Sequence, residues 1–396
     1  MSPDTLRIGF IALVDAAPLV IAVDHGFAAE QGLSVELVRE VSWSNVRDKL
    51  NIGLFDAAHM LSPMAIASSL GIGHLRVPLI APFNLGLNGN AITVSEPLYA
   101  AILAHADGDI TDPGVSARAL ARIAAERKTA GEDQLTFGIT FPFSNHNYQT
   151  RFWMAVGGID PDEDVSLVVL PPPYMVESLQ SGQIDGYCVG APWNSVAVGQ
   201  GIGRILHFGC AIMARASEKV LAVRERWADK NRDTLDALLR GLARAAAFVE
   251  DAGNRADVAR MVAARLDVAD GIIARTLAGD LQIAVDGSTR SSDRYLIIGR
   301  DGAGRPDTVQ AAWIYAQMVR WRQTPYSDAL LNDARAVFRP DLYDAALGLQ
   351  ASPAGSLPPD GIGCFSGPAF DPADVCGHLA AWPKRPAARP RLSVVR

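Results

Sequence analysis

The chain has 396 residues, with 36 Lys and Arg against 43 Asp and Glu, giving a net charge of −7. That length fits two domains, and 49% hydrophobic with 20% charged residues leaves enough apolar material for sizeable cores. The acidic balance excludes a broad nucleic-acid or anionic-membrane surface, which needs clustered Lys and Arg, but not one buried cation aimed at a small anion.

Residues 6–13 open the chain as an apolar strand, and Pro18 starts a helix, where its missing N–H is not needed. Leu19, Ile21, Ala22 and Phe27 give that helix a core face, and Gly32 ends it. Residues 33–38 alternate like a half-buried strand, and Ser44 is placed to cap a helix over 46–52 that Gly53 closes. A short strand at 56–60, a helix at 63–70 ended by Gly71, and strands at 78–82 and 91–94 follow. This βαβ rhythm predicts a mostly parallel sheet covered on both faces.

A second α/β unit comes next. It has a helix over 116–127, a strand at 135–140, a helix over 147–156 closed by Gly157-Gly158, and a strand at 165–170 broken by Pro171-Pro172-Pro173. A short helix at 176–180, a strand at 184–189, a helix opened by Pro192 and an edge strand at 204–208 complete it. From Val220 onward the pattern turns helical, over 231–250, 256–266, 271–277, 308–322 and 327–338. Beyond about residue 349, eight prolines among Ser and Gly read as an extended tail. The expected division is a first lobe of residues 1–95 plus 216–348, a second lobe of 96–215, and the tail 349–396. In such an α/β protein the ligand sits at the carboxyl ends of strands, beside helix N-termini, in a cleft between lobes.

Four cysteines, Cys188, Cys210, Cys364 and Cys376, form no CxxC and no zinc-spaced pair with His, so no metal and no cofactor is expected. Cys188 reads as a buried free thiol, and a Cys364–Cys376 disulfide is open. No run approaches the roughly 18–20 apolar residues of a membrane span. No basic and apolar leader precedes the first strand, so a cytoplasmic location is expected, a trimmed leader being the alternative. Nucleotide loops, nucleophile elbows, HExxH and calcium-loop motifs do not occur, and no catalytic constellation stands out. An enzyme is not expected.

Polar residues on loops after strands remain. Trp43 precedes a helix start and fits either a core position or a ligand contact. Asn88-Gly89-Asn90 reads as a turn before a strand. His146 lies between a strand and a helix, where a functional role and a structural one are equally open. Gly190, before Ala191-Pro192-Trp193-Asn194, is a bend or a backbone donor facing a cleft. Lys219, flanked by Glu218 and Val220-Leu221, is either an exposed lysine or the buried cation.

Taken as a series, these stretches resemble the nitrate- and bicarbonate-binding proteins, the family that includes substrate-binding subunits of ABC importers. The similarity runs through Ile8-Gly9-Phe10, Trp43-Ser44-Asn45-Val46-Arg47-Asp48, Asp56-Ala57-Ala58-His59-Met60, Leu87-Asn88-Gly89-Asn90-Ala91-Ile92-Thr93, Cys188-Val189-Gly190-Ala191-Pro192-Trp193-Asn194 and Glu218-Lys219-Val220-Leu221, in order over about residues 6–350. The resemblance implies a two-lobed periplasmic-binding-protein-like α/β fold of type II. Its ligand-binding residues would be Trp43, Asn90, His146, Gly190 and Lys219, with Asn90 where the importers have Gln. Lys219 and His146 are the nitrate-type choices; the bicarbonate branch has a carboxylate and a hydroxyl residue there. Nitrate is a planar monoanion with three acceptor oxygens and no donor, so it suits one cation, several N–H donors and a flat wall. Bicarbonate needs an acceptor for its O–H, and these five residues lack one. With no leader, the chain looks most like the cytoplasmic NasS-type nitrate/nitrite sensor. That resemblance implies a partner, an ANTAR-type RNA-binding antiterminator (NasT-like), held without ligand and released on binding, with no direct nucleic-acid contact and no membrane insertion. The alternatives are an importer's nitrate or bicarbonate subunit and, further off, a thiamin-pyrimidine-precursor enzyme of the same superfold.

Overall fold

A computed structural model describes residues 5–350 and 361–383. Leu6–Ile11 (β1) is apolar on both faces apart from Arg7, so it fits only where it is covered from two sides. It lies parallel between Val35–Glu40 (β2) and Ala57–Leu61 (β3), with Leu6 opposite Val35 and Ile11 opposite Glu40. Leu79–Asn88 (β4) belongs to the same sheet, but Asn90–Ser95 (β5) does not. β5 pairs antiparallel in a second sheet with Gly186–Gly190 (β8) and Gly203–Phe208 (β9), while Thr136–Ile139 (β6) and Ser166–Val169 (β7) extend that sheet in parallel with β8. Its order is β7-β6-β8-β5-β9.

The chain therefore leaves the first sheet at Gly89, six residues before the boundary expected at 95. The physical reason is Asn88-Gly89: both have left-handed backbones, φ 60° and 84°, which Asn and Gly adopt most easily. Asn88 also receives the chain on its return. Its amide donates to the carbonyls of Ala214 (2.9 Å) and Arg294 (2.8 Å), and its side-chain oxygen accepts from the Ala216 N–H (2.9 Å). The turn expected at 88–90 is thus the crossing point between lobes.

The segment expected to begin the helical return is instead a strand. Ser217–Arg224 (β10) runs antiparallel between β3 and β4, near the middle of the first sheet. Buried on both faces, it shows a continuous apolar run, which periodicity cannot tell from a buried helix. Asp280–Gln282 (β11) and Thr289–Ser291 (β12) form a small ribbon, and Leu296–Ile297 (β13) completes the first sheet in the order β13-β4-β10-β3-β1-β2. Helices at Arg232–Glu250, Arg255–Leu266, Asp270–Ala278, Thr308–Arg320 and Asp328–Val337 follow the expected pattern.

Described residues of the expected extended tail are folded back instead. Cys364 forms a bridge with Met213, and Ala214 and Arg215 donate to the carbonyls of Gly363 (2.9 Å) and Ile362 (3.2 Å). Phe365 and Trp382 stack edge-on against Phe152 of the second lobe at 5.8 and 5.3 Å, while Phe370 and His378 meet Trp313 of the first at 5.3 and 5.6 Å. Four aromatic side chains outweigh the prolines between them. All four cysteines are free, so the open Cys364–Cys376 pairing is not made, and Cys188 is buried. The rest of the expected tail, 351–360 and 384–396, lies outside the described residues.

Close packing of the helices Pro113–Ala130 and Asn145–Val156 needs Gly157, where a Cβ would run into the carbonyl of Ala117. Gly157→Ala should lower unfolding free energy by about 2 kcal/mol, the usual scale for overpacking, as read from a urea-denaturation midpoint. An unchanged midpoint would show that the two helices separate freely.

Candidate functional site

The site is built where strand ends of both sheets meet. The helix Trp43–Asn51 is capped by Ser42, whose hydroxyl accepts from the Asn45 N–H (3.2 Å), and not by Ser44 as expected, because Ser42 holds the extended backbone a cap needs. Trp43 is therefore the first helical residue after β2. Likewise Ser144 caps Asn145–Val156 through the Asn147 N–H (3.1 Å), placing His146 in the first turn after β6. Two helix N-termini, each with partial positive character, thus follow strands of different lobes.

The structure brings all five expected residues into one buried cluster, none more than 2% exposed among Trp43, Asn90, His146 and Lys219. Asn90 and Gly190 face each other in the β5–β8 register. Lys219 Nζ stands 5.5 Å from the Trp43 ring centroid. Gly190 looks across to the first lobe, where a Cβ on it would lie 3.6 Å from the Leu13 methyls and 3.7 Å from Asp15 Oδ2. A hydrogen bond from the Val14 N–H to the Ala191 carbonyl (2.9 Å) joins the lobes at the same point.

Sequence reasoning missed three members, and they change the chemistry. Lys219 Nζ lies 3.1 Å from Asp15 Oδ2 and 3.2 Å from Glu218 Oε1. His59 Nε2 lies 2.9 Å from Asp15 Oδ1, and its Nδ1 accepts from the Ile11 N–H (3.4 Å). Contrary to expectation the site holds hydrogen-bond acceptors for bicarbonate: Asn90 Oδ1 is buried without a partner, and Glu218 and Asp15 add carboxylate oxygens. No local signal marks Glu218, because the segment reads as the start of a helical run and neighbours on a regular strand would face opposite ways in any case. β10 shifts register against β4 on both sides of Lys219, and this bulge lets Glu218 and Lys219 reach the same cluster. Asp15 sits in a single turn, Val14–Ala16, that no periodic signal marks.

Glu218 is the centre of the polar network. Its Oε1 is 3.1 Å from His146 Nδ1, and its Oε2 accepts from the Asn90 amide (3.0 Å). His146 Nδ1 is also 3.1 Å from the Thr140 hydroxyl. Burial pushes Glu218 up to about 7, against the pull of Lys219. Burial would raise Asp15 too, but Lys219 and His59 together bring it down to about 2. Burial opposes the charge on Lys219, and the two carboxylates more than restore it, holding its pKa above the usual value. Burial, with Lys219 adding, holds His146 well below the usual histidine range; burial also lowers His59, so both imidazoles are neutral. Among the described residues, Trp43 Nε1, His146 Nε2, Asn90 Oδ1 and both polar atoms of Gln149 are buried without a hydrogen-bond partner. Such groups are destabilising unless something pairs with them, and their concentration here marks a place made for a polar guest. No group of three or more His, Cys, Asp or Glu among the described residues is arranged to hold a metal ion. Nor is any described helix long and apolar enough to cross a membrane.

Two α/β lobes, crossed at Asn88–Gly89 and again near residue 216, with a polar cluster sealed between them, define a protein of the periplasmic-binding-protein-like fold. The chain belongs to the NMT1-like family, which it matches over residues 1–263. It is 32% identical over 389 residues to the nitrate/nitrite binding protein NrtA of Synechococcus elongatus, covering 94% of this chain and 85% of that one. It is equally 32% identical, over 393 residues, to the bicarbonate transport ATP-binding protein CmpC of the same species, covering 96% of this chain and 55% of that protein. The chain thus spans about half the length of the transport ATP-binding proteins it matches. The crystal structure of the periplasmic nitrate-binding protein NrtA from Synechocystis PCC 6803 superposes with a TM-score of 0.82 at 27% identity, covering 95% of this chain and 98% of that one.

Glu218 and Asp15 give the fold opposite pH dependences. The fold favours neutral Glu218, so its contribution is complete below its ordinary value of 4.5 and is lost as pH rises through about 7. The Asp15 contribution is complete above 3.8 and is lost as pH falls towards 2. At about 1.4 kcal/mol per unit, Glu218 should remove roughly 3 kcal/mol of stability between pH 4.5 and 8. Urea denaturation at pH 5 and pH 8 should show that decline in the wild type and not in Glu218→Gln. Equal declines in the two proteins would mean that Glu218 is not the titrating group.

Proposed function

We propose that this protein binds nitrate, and nitrite with it, in the cluster around Lys219, closing two lobes over the anion without changing it chemically. The observation that carries the reading is the fully buried Lys219 ammonium beside the unpartnered N–H-bearing groups of Trp43 and His146. A donor-free monoanion uses a cation and N–H donors and little else, and the flat Trp43 ring bounds one face while excluding water. Similarity to a nitrate/nitrite binding protein over most of both chains supports the same ligand class.

Relatives named for nitrate and for bicarbonate match this chain equally well, so ligand choice rests on the site residues. Bicarbonate is a second reading, favoured by Glu218, whose carboxylate would accept from the ligand's O–H. As for the wider role, the relatives carry the names of import and binding proteins, which favours the solute-binding component of an importer over the cytoplasmic antiterminator-holding sensor. Retention of a membrane permease on an affinity column carrying this protein supports the first role. Retention of an RNA-binding antiterminator that nitrate elutes supports the second.

Removing Lys219 alone would strand Asp15 as an unpaired buried charge. The double variant Lys219→Met with Asp15→Asn removes both charges and keeps the volume. It should weaken nitrate binding at least about tenfold, or about 1.4 kcal/mol, in isothermal titration. Wild-type affinity in the folded double variant would remove Lys219 from the site.

A further inference from the structure

Lys219 is already neutralised. Asp15, from the turn Val14–Ala16, pairs with it at 3.1 Å, and Glu218, its neighbour on β10, lies at 3.2 Å. The other titratable groups facing this pair are His59 on β3, which contacts Asp15, His146 on the helix after β6, and Cys188 on β8, whose thiol burial pushes up out of reach. Both imidazoles are neutral. The cluster then sums to zero when Glu218 is protonated and to −1 when it is ionised. A monoanion entering the second form would meet a net negative buried cluster of low dielectric, where like charges repel strongly.

The tautomer of His146 leads to the same requirement. Its Nε2 is the ring nitrogen left without a partner among the described residues, and to serve a donor-free anion it must carry the proton. Neutral imidazole then presents a lone pair at Nδ1, which lies 3.1 Å from Glu218 Oε1. Against a carboxylate, two lone pairs would oppose each other. Against a carboxylic acid, the Glu218 O–H donates to Nδ1, beside the Thr140 hydroxyl at the same 3.1 Å, and the opposition to the tautomer that anion binding uses is removed. The Asn90 amide donates to Oε2 and the Lys219 ammonium to Oε1, and Oε1 is the oxygen that faces Nδ1, so it carries the proton shared with His146.

We propose that the anion is bound together with one proton taken from solvent, held by the Glu218–His146 pair, so that Glu218 is a specificity-determining residue as well as a neighbour of the cation. This deepens the nitrate reading and rests on it. The proton comes from bulk water and returns there on release, and no bond within the anion changes. Glu218 in its acid form serves donor-free anions, and its ionised form opposes them. With burial bringing the group near neutrality, the exchange occurs within the working pH range.

The test is isothermal titration with sodium nitrate between pH 6 and 9, in buffers of different ionisation enthalpy. The wild type should take up between about 0.5 and 1 proton per nitrate at pH 8 and lose affinity about tenfold per pH unit above neutrality. Glu218→Gln offers an amide N–H to His146 Nδ1 without needing a proton. It should bind nitrate with no proton uptake, and at pH 9 at least about tenfold more tightly than the wild type, a gain that mere destabilisation does not produce. PH-independent nitrate binding by the wild type with no proton uptake overturns the coupling and leaves the nitrate reading standing. Unchanged uptake in Glu218→Gln overturns the assignment to this pair, and no nitrate binding at any pH overturns both.

Discussion

A fully buried ammonium must be neutralised where it sits, because moving it out of water is unfavourable by several kcal/mol unless charge and hydrogen bonds replace the solvent. Lys219 meets that requirement from three directions: Asp15 from the turn after β1, Glu218 from its own bulged strand, and the Trp43 ring from the helix after β2. The second lobe then closes around Glu218 with His146 and Asn90. What joins the lobes at the centre is therefore a polar network whose charge depends on one carboxyl group.

The chain's path serves this arrangement. β5 and β10 carry Asn90 and Glu218-Lys219, and each begins immediately after a crossing between sheets. Asn88 joins both crossings through its side-chain hydrogen bonds with Ala214 and Ala216. The C-terminal segment 361–383 packs aromatic rings against helices of both lobes and hydrogen-bonds to the second crossing. A two-lobed protein responds to a ligand only through the difference in affinity between its open and closed forms. Asn90 and Lys219, two of the residues proposed to hold the anion, adjoin the crossings themselves.

Much of this was legible in the sequence, and the failures have physical reasons. The βαβ rhythm gave the parallel strands of both sheets but not the antiparallel pairings of β4, β5, β9, β10 and β13. The resemblance to the nitrate- and bicarbonate-binding proteins, rather than position alone, picked out Trp43, Asn90, His146, Gly190 and Lys219, which the structure draws together. β10 reads in the sequence as the start of the helical return because a strand buried on both faces carries no period-two signal. Glu218 was passed over because the bulge that turns it towards Lys219 is a pairing irregularity, set by β4 on the other side of the sheet. Asp15 lies in a turn where a carboxylate usually faces solvent, and only the fold shows it 2% exposed. Its prolines mark the tail as extended, while the aromatic rings that fasten it act through partners far away in sequence, such as Phe152.

The most direct test is a crystal structure of the protein grown at saturating sodium nitrate in buffer free of other oxyanions. The anion is expected within hydrogen-bonding distance of Lys219 Nζ and His146 Nε2, its plane against the Trp43 ring, with Glu218 Oε1 turned to His146. Nitrate at another place, or a cluster identical to the nitrate-free one at saturation, would contradict it.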